Sequence, residues 1–420
     1  MRKILLLFVW AFLIMLGSCN KESIQIPQDE DDLLVNLKDG DIIPGQYVVL
    51  LKEGVTSVKS AKLSYPGAQD LMRTEMKKIL KASKIAEREP LQVYSAAIEG
   101  FAVKLSEEEA EALGNNPGVA GIWPDKVVIL KRPAPVPTPL PPQTIPPGIE
   151  RVGGVATYIG TNRIWIIDTG IDLNHEDLNV DAGKTFVPRT TTADDDNGHG
   201  THCAGIAAAK NNSVGVIGVA ADAHVVPVKV LDKRGSGAYS TIMKGVDYVT
   251  NNADKDEDGI EDEDFGDAVN MSLGGSPYEP LDLAVIAMGE AGLYVSLAAG
   301  NESDDAVNHS PARASDPLLY PNAINVYAIS ACSSSVDDGD IWASFSNFGN
   351  AVDFCAPGVS ILSLYKNNGM ATMSGTSMAA PHACGVLLVT GGKPKSLGTV
   401  ANDPDNPDDP IIHTTGYPEN

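Results

Sequence analysis

Residues 131–142 constrain this chain more than any other stretch. They read Lys-Arg-Pro-Ala-Pro-Val-Pro-Thr-Pro-Leu-Pro-Pro. Proline fixes φ and has no N–H to donate, so such a run forms neither a helix nor a central strand. It is an extended, protease-accessible linker, and the sequence on either side must fold as separate units. Charge supports that division. Residues 44–131 hold 12 basic and 11 acidic side chains, whereas residues 143–420 hold 14 and 37. A net charge of −24 over 420 residues makes a poor partner for nucleic acid, whose phosphates would be repelled. The apolar fraction, 43%, is enough for a sizeable core and excludes wholesale disorder.

The N-terminus reads as an address. Arg2 and Lys3 precede an apolar run over residues 4–16, too short to span a bilayer, which takes about 18–20 apolar residues. A charged start, an apolar middle and small residues at the end are the layout of a secretory signal. The end, Leu16-Gly17-Ser18-Cys19, resembles the lipobox of bacterial lipoproteins. That resemblance implies a signal peptide over residues 1–19, acylation of Cys19, and an anchor at the outer membrane or cell surface. An ordinary signal peptide that contains a cysteine is the plain alternative. Residues 20–42 are polar and acidic and are expected to be a solvated spacer.

Residues 43–130 alternate strand and helix patterns. Strands are expected at residues 46–52, 91–97, 101–105 and 119–123, and helices at residues 68–89 and 106–114. Ser106 followed by Glu109 is a capping box for the second helix. The order βαββαβ is the ferredoxin-like arrangement, which by itself says nothing of function.

The chemistry lies in three peptides beyond the linker. An apolar strand runs into Asp168, at the strand end where open α/β sheets build their sites. His199 lies between Gly198 and Gly200, ahead of a small-residue helix. Ser377 follows Gly375 at the start of another helix. A serine hydroxyl needs a base to take its proton, His199 can be that base near neutrality, and a carboxylate such as Asp168 orients the imidazole. The free N–H groups of a helix N-terminus suit a developing oxyanion.

Ile167-Asp168-Thr169-Gly170-Ile171, His199-Gly-Thr-His-Cys-Ala-Gly205 and Gly375-Thr-Ser377-Met-Ala-Ala-Pro-His382 together resemble the subtilisin-like serine proteases, in their order Asp, His, Ser. The resemblance implies a doubly wound α/β catalytic domain with a mostly parallel sheet over residues 143–400, preceded by a small ferredoxin-like α+β inhibitor-type propeptide over residues 43–130. It implies that Ser272, Leu273 and Gly274 pair with an extended substrate. Ala298, Ala299 and Gly300 would wall the specificity pocket, and Asn301 would serve the oxyanion hole. A small apolar wall suggests a large hydrophobic residue before the cut. Cys203, next to His202, points to the proteinase K-like branch. The implied protein is an exported, self-processing serine endopeptidase, monomeric, acting on proteins or peptides and held inactive by its own propeptide. Processing is expected between residues 125 and 143. The cut would free the catalytic part from a lipid on Cys19, its one membrane contact. The rival reading is a silent binding module.

Structural calcium is expected on the acidic alternation Asp254, Asp256, Asp258, Ile260 and Asp262, whose twelfth position is Phe265 and not the Glu of an EF-hand. A solvated acidic loop is the alternative. Asp353 resembles a second calcium ligand of the family. No cofactor is needed for the chemistry. His199 and His202 lack a third zinc ligand, so His202 is read as a hydrogen-bonding residue. Pairing among Cys203, Cys332, Cys355 and Cys384 is open, with Cys332–Cys355 one candidate. Residues 401–420 are expected to be an irregular tail.

Overall fold

The computed structural model describes residues 36–59, 63–130, 135, 137–154, 157–254, 266–333, 339–405 and 407–415. The small unit contains β1 (Ile42–Leu51), α1 (Tyr65–Ala82), β2 (Gln92–Tyr94), β3 (Gly100–Lys104), α2 (Glu107–Gly114) and β4 (Val119–Ile129). The capping box forms: Ser106 Oγ accepts from Glu109 N at 3.2 Å, and Glu109 Oε2 accepts from Ser106 N at 3.0 Å. The strands run antiparallel in the order β4-β1-β3-β2.

The large unit follows with β5 (Thr138–Pro139), α3 (Pro147–Arg151), β6 (Arg163–Asp168), β7 (Asn179–Val180), β8 (Lys184–Thr185), α4 (His199–Ala208), β9 (His224–Lys229), β10 (Ser236–Ala238) and α5 (Tyr239–Asn252). Then come β11 (Ala268–Met271), α6 (Glu279–Glu290), β12 (Tyr294–Ala298), β13 (Val326–Cys332), β14 (Val352–Pro357), β15 (Ile361–Tyr365), β16 (Gly369–Met373), α7 (Thr376–Val389), β17 (Lys395–Thr399) and β18 (Pro410–His413). The main sheet has the order β17-β18-β14-β13-β12-β11-β6-β9-β7, parallel throughout except between β17 and β18. A parallel sheet is covered on both faces, which is why β6 reads as an unbroken apolar run. Trp165 and Ile167 pack with α5 and α6, and Ile164 and Ile166 pack with α4 and α7. The chain builds β9 on one side of β6 and returns to build β11 on the other. That switch point places a cleft at the C-terminal end of β6.

Three expectations are corrected. β4 runs six residues beyond Trp123, because its tail pairs with β10 of the other unit: Val127 with Ala238, Val128 with Gly237 and Ile129 with Ser236. A pattern read within one unit carries no trace of a partner strand in another. The spacer expected over residues 20–42 is not solvated at its end. Gly40 N donates to Val127 O and Val127 N to Asp41 O, so residues 40 and 41 lie beside the same tail. The tail expected to be irregular from residue 401 contains β18, with Ile411 and Ile412 buried and Ile411 paired to Cys355. The linker itself contributes β5, an edge strand on β16 in which proline costs no ladder bond. No helix among the described residues is long and apolar enough to cross a membrane, and Cys19 lies outside them.

Candidate active site

β6 ends in Asp168, which is fully buried. Gly198 supplies the turn into α4 at φ 112°, in the left-handed region that favours glycine. His199 is therefore the first residue of α4, and its Nδ1 lies 2.9 Å from both Asp168 oxygens. Among the described residues Nε2 has no hydrogen-bond partner, although it is buried. A buried nitrogen left open beside a held carboxylate is suited to take a proton.

Ser377 lies in the first turn of α7 and is almost fully buried. Its neighbours lock the turn: its carbonyl accepts from Ser272 Oγ at 2.9 Å and from Cys203 Sγ at 3.4 Å. Because Cys203 lies one turn along from His199, that contact joins the two helix starts. The Ser377 hydroxyl donates to Ser272 O at 3.3 Å, so its proton is directed to that carbonyl. Catalytic hydrogen bonds are commonly long or misaligned before substrate binds.

Asn301 is exposed in the cleft. Its Oδ1 accepts from Thr376 N at 2.9 Å and from Thr376 Oγ1 at 3.2 Å. A backbone N–H can only donate, so the carboxamide orientation is fixed and Nδ2 remains as donor to the cleft. The cleft, about 670 Å³, brings together Ser377, Asn301, Ser272, Leu273, Gly274, Ala298, Ala299 and Gly300. Each of the residues expected to bind substrate lies there. Asp39, Ile129 and Leu130 from the small unit also line the cleft, so the chain's own tail borders it.

Three features escaped the sequence reading. Asp195 accepts from Thr169 Oγ1, Asn197 N, Gly198 N, Thr201 N and Thr201 Oγ1, tying the loop before His199 to the residue after Asp168. Burial pushes its pKa up against those donors. The acidic run at residues 194–196 marked the place but not the role. β10 pairs with the propeptide tail, and its Ser236-Gly237 pair was the only local signal. Glu302 and His309 line the cleft beside the small apolar wall.

The remaining expectations fall as follows. Asp256, Asp258, Ile260 and Asp262 lie outside the described residues, and Asp254 bonds through its backbone to Asp267. Asp353 accepts from Ser315 Oγ and from Ala328 N, and burial pushes it up to about 7. Among the described residues it joins no convergent group of three acidic, His or Cys side chains. His202 Nε2 bonds to Ala371 O at 3.1 Å. Cys203, Cys332, Cys355 and Cys384 are buried and in no disulfide. Cys332 and Cys355 lie on adjacent strands as thiols.

A doubly wound sheet with an Asp–His pair and a helix-start serine at one strand end is the architecture of a subtilisin-like serine peptidase. Comparison with known proteins agrees. Residues 162–401 match the model of the Subtilase family, and residues 46–131 match Peptidase inhibitor I9. Subtilisin NAT from Bacillus subtilis subsp. natto is 34% identical over 352 residues, 82% of this chain and 79% of that protein. Cerevisin from Saccharomyces cerevisiae is 44% identical over 227 residues, 53% of this chain but 33% of cerevisin's length. A solved cold adapted subtilisin-like serine proteinase aligns at TM-score 0.51 and 31% identity, over 64% of this chain and 97% of that one. The chain belongs to the subtilase family: a serine endopeptidase domain preceded by an I9-type inhibitor domain.

Proposed function

We propose that Asp168, His199 and Ser377 form the working triad of a self-processing endopeptidase, with Asn301 as an oxyanion donor. The observation that carries this reading is the buried His199, bonded to Asp168 through Nδ1, with Nε2 left without a hydrogen-bond partner among the described residues. Ser377 attacks the scissile carbonyl and His199 takes its proton. Asp168 holds the imidazole and stabilises its charge. Asn301 Nδ2 and Ser377 N–H receive the negative oxygen, and His199 returns the proton to the leaving amine. Water then repeats the sequence on the acyl-enzyme.

The tail beside the cleft supports self-processing. Val127, Val128 and Ile129 add a strand to β10, and Leu130 N donates to Gly235 O at 2.9 Å, as an extended substrate would. Export, a lipid on Cys19, release of the catalytic part by the cut and the proteinase K-like branch rest on the sequence signals alone. So does calcium at residues 254–262. A fall in melting temperature on chelation, restored by calcium, would support the metal site.

A fluorophosphonate probe tests the central reading. The processed wild type should be labelled on the peptide containing Ser377, and Ser377→Ala should be both unlabelled and unprocessed. A processed wild type that takes no label would favour a silent binding module.

A further inference from the structure

The linker strand β5 lies against the part of the molecule that supports His199. Its two residues pair with β16, Thr138 with Met370 and Pro139 with Gly369. The chain then runs along residues 213–216. Gly215 N donates to Pro141 O at 2.8 Å, Gln143 N to Ser213 O at 3.1 Å and Thr144 N to Gly215 O at 3.0 Å. Between these two attachments the half-buried Leu140 packs on a cluster that contains Ala204 and Ala207 of α4 with Leu364 and Met370 of the β15–β16 hairpin.

That hairpin grips both segments that carry the Asp–His pair. Asn368 N, in its turn, donates to Asp172 Oδ2 at 2.8 Å, just past Asp168. Ala371 O accepts from His202 Nε2 at 3.1 Å on α4. Tyr365, at the end of β15, is buried and donates its hydroxyl to Asn197 O at 2.9 Å. A Cβ on Gly198 would run into the Tyr365 ring, so the phenol covers the turn that opens into His199. Lys366 Nζ donates to Asp196 O at 2.6 Å. Asp195 accepts from the N–H groups of Asn197 and Gly198, and the hairpin supplies the donors for the carbonyls of Asp196 and Asn197.

We infer that Tyr365 is a positioning residue for His199, and that the linker stays on the catalytic unit after the cut as a strap that fixes the hairpin carrying Tyr365. This deepens the triad reading and rests on it. Asp168 holds the imidazole at the right place only while the turn before it keeps one shape. Glycine at the last residue of that turn offers little resistance to rotation, so the shape depends on outside partners. A two-stranded hairpin is marginal alone, and a third strand steadies it. The strap begins beyond the tail that ends at Leu130. A cut between Leu130 and Pro137 leaves it whole, whereas a later cut takes away β5.

The test uses enzyme matured from the full chain. Its N-terminus, read by mass spectrometry, should lie at or before Pro137. Tyr365→Phe keeps the ring and loses the hydroxyl. Its kcat should fall ~5-fold with KM little changed, the size of one lost hydrogen bond. The acid limb of its pH profile should move to lower pH, because a loosened turn weakens the Asp168 contact that favours the charged imidazole. Leu140→Asp should detach the strap and lower kcat in the same way, and the double variant should lose little more than the larger single loss. A mature N-terminus beyond Pro137, wild-type kcat and pH profile in Tyr365→Phe, or losses that add in full would overturn the inference. Wild-type enzyme that neither cleaves peptides nor takes the fluorophosphonate label would instead overturn the triad reading beneath it.

Discussion

The main sheet and the small antiparallel sheet of this molecule are covered in different ways. The large parallel sheet is sandwiched by helices of its own unit. The small antiparallel sheet has helices of its own on one face only. Val49, Leu51, Phe101 and Val103 face α1 and α2, whereas Val48, Leu50, Tyr94 and Ala102 pack into the core of the catalytic unit with α5 and α6. Strand residues alternate faces, so the continuous run Val48-Val49-Leu50-Leu51 is the mark of a sheet buried on both sides. The small unit therefore presents an apolar face that only the catalytic unit covers. The large sheet builds the site and the small one delivers a plug to it.

The polar seam between them is as specific as the apolar one. Asp247 on α5 accepts from the backbone N–H groups of Ser95, Ala96 and Ala97 at 2.8, 2.6 and 3.2 Å. Lys244, one turn earlier, donates to Tyr65 Oη at 2.7 Å and to Val93 O at 2.8 Å.

Substitutions should separate the two roles. The largest effect belongs to the site: Ser377→Ala should lower kcat by about 10⁶-fold, the magnitude known for the serine of subtilisin. Asn301→Ala should cost about 10²–10³-fold in kcat, also the subtilisin value, with KM little changed, in steady-state assays on a peptide. Neither should loosen the plug. Val48→Asp should do the reverse. It places an unpaired carboxylate in the shared core, at several kcal/mol, so loss of the cut propeptide should speed up at least ~100-fold while turnover of the freed enzyme is unchanged. Equal turnover losses in both sets would break the division.

A pH dependence sharpens it. Burial pushes Lys244 down to about 8. Undocking exposes it and restores its ordinary value near 10.5. Between those limits the undocked state binds the extra proton, so docking strengthens as pH rises from about 8 to 10.5. The dissociation rate of the cut propeptide should fall over that window, and Lys244→Met should flatten the profile.

The smallest effect concerns the closing strand. Burial pushes Asp409, which accepts from Ser330 Oγ at 2.6 Å, up to about 8. The folded state thus keeps a proton that the unfolded chain releases near pH 4. The stability this brings is complete at acid pH and lost as pH rises toward 8. Asp409→Asn should raise the melting temperature by a few degrees at pH 9, by less at pH 5, and not at all below about pH 4.

What the sequence revealed follows the range of the forces involved. Asp168, His199 and Ser377 were legible because each sits in a short peptide whose glycines and helix start are local requirements. The capping box at Ser106 is local too. The β10–β4 pairing and the fit of residues 40–41 beside Val127 join segments more than eighty residues apart, and no periodicity reports them. Glu302 was hidden for a different reason: it follows the apolar wall in sequence, but only the folded loop returns its carboxylate to the cleft. The closing strand β18 was masked by the Asp/Pro-rich stretch before it, although Ile411-Ile412 was there to be weighed.

The account stands on a hydroxyl that now points at Ser272 O and must reach His199. A crystal structure of the matured enzyme with a peptide boronic acid tests this most directly. It should show boron bonded to Ser377 Oγ, His199 Nε2 within about 3 Å of the adduct, and Asn301 Nδ2 with Ser377 N on one boronate oxygen. An adduct on another residue, or an imidazole that stays out of reach of the bonded serine, would contradict it.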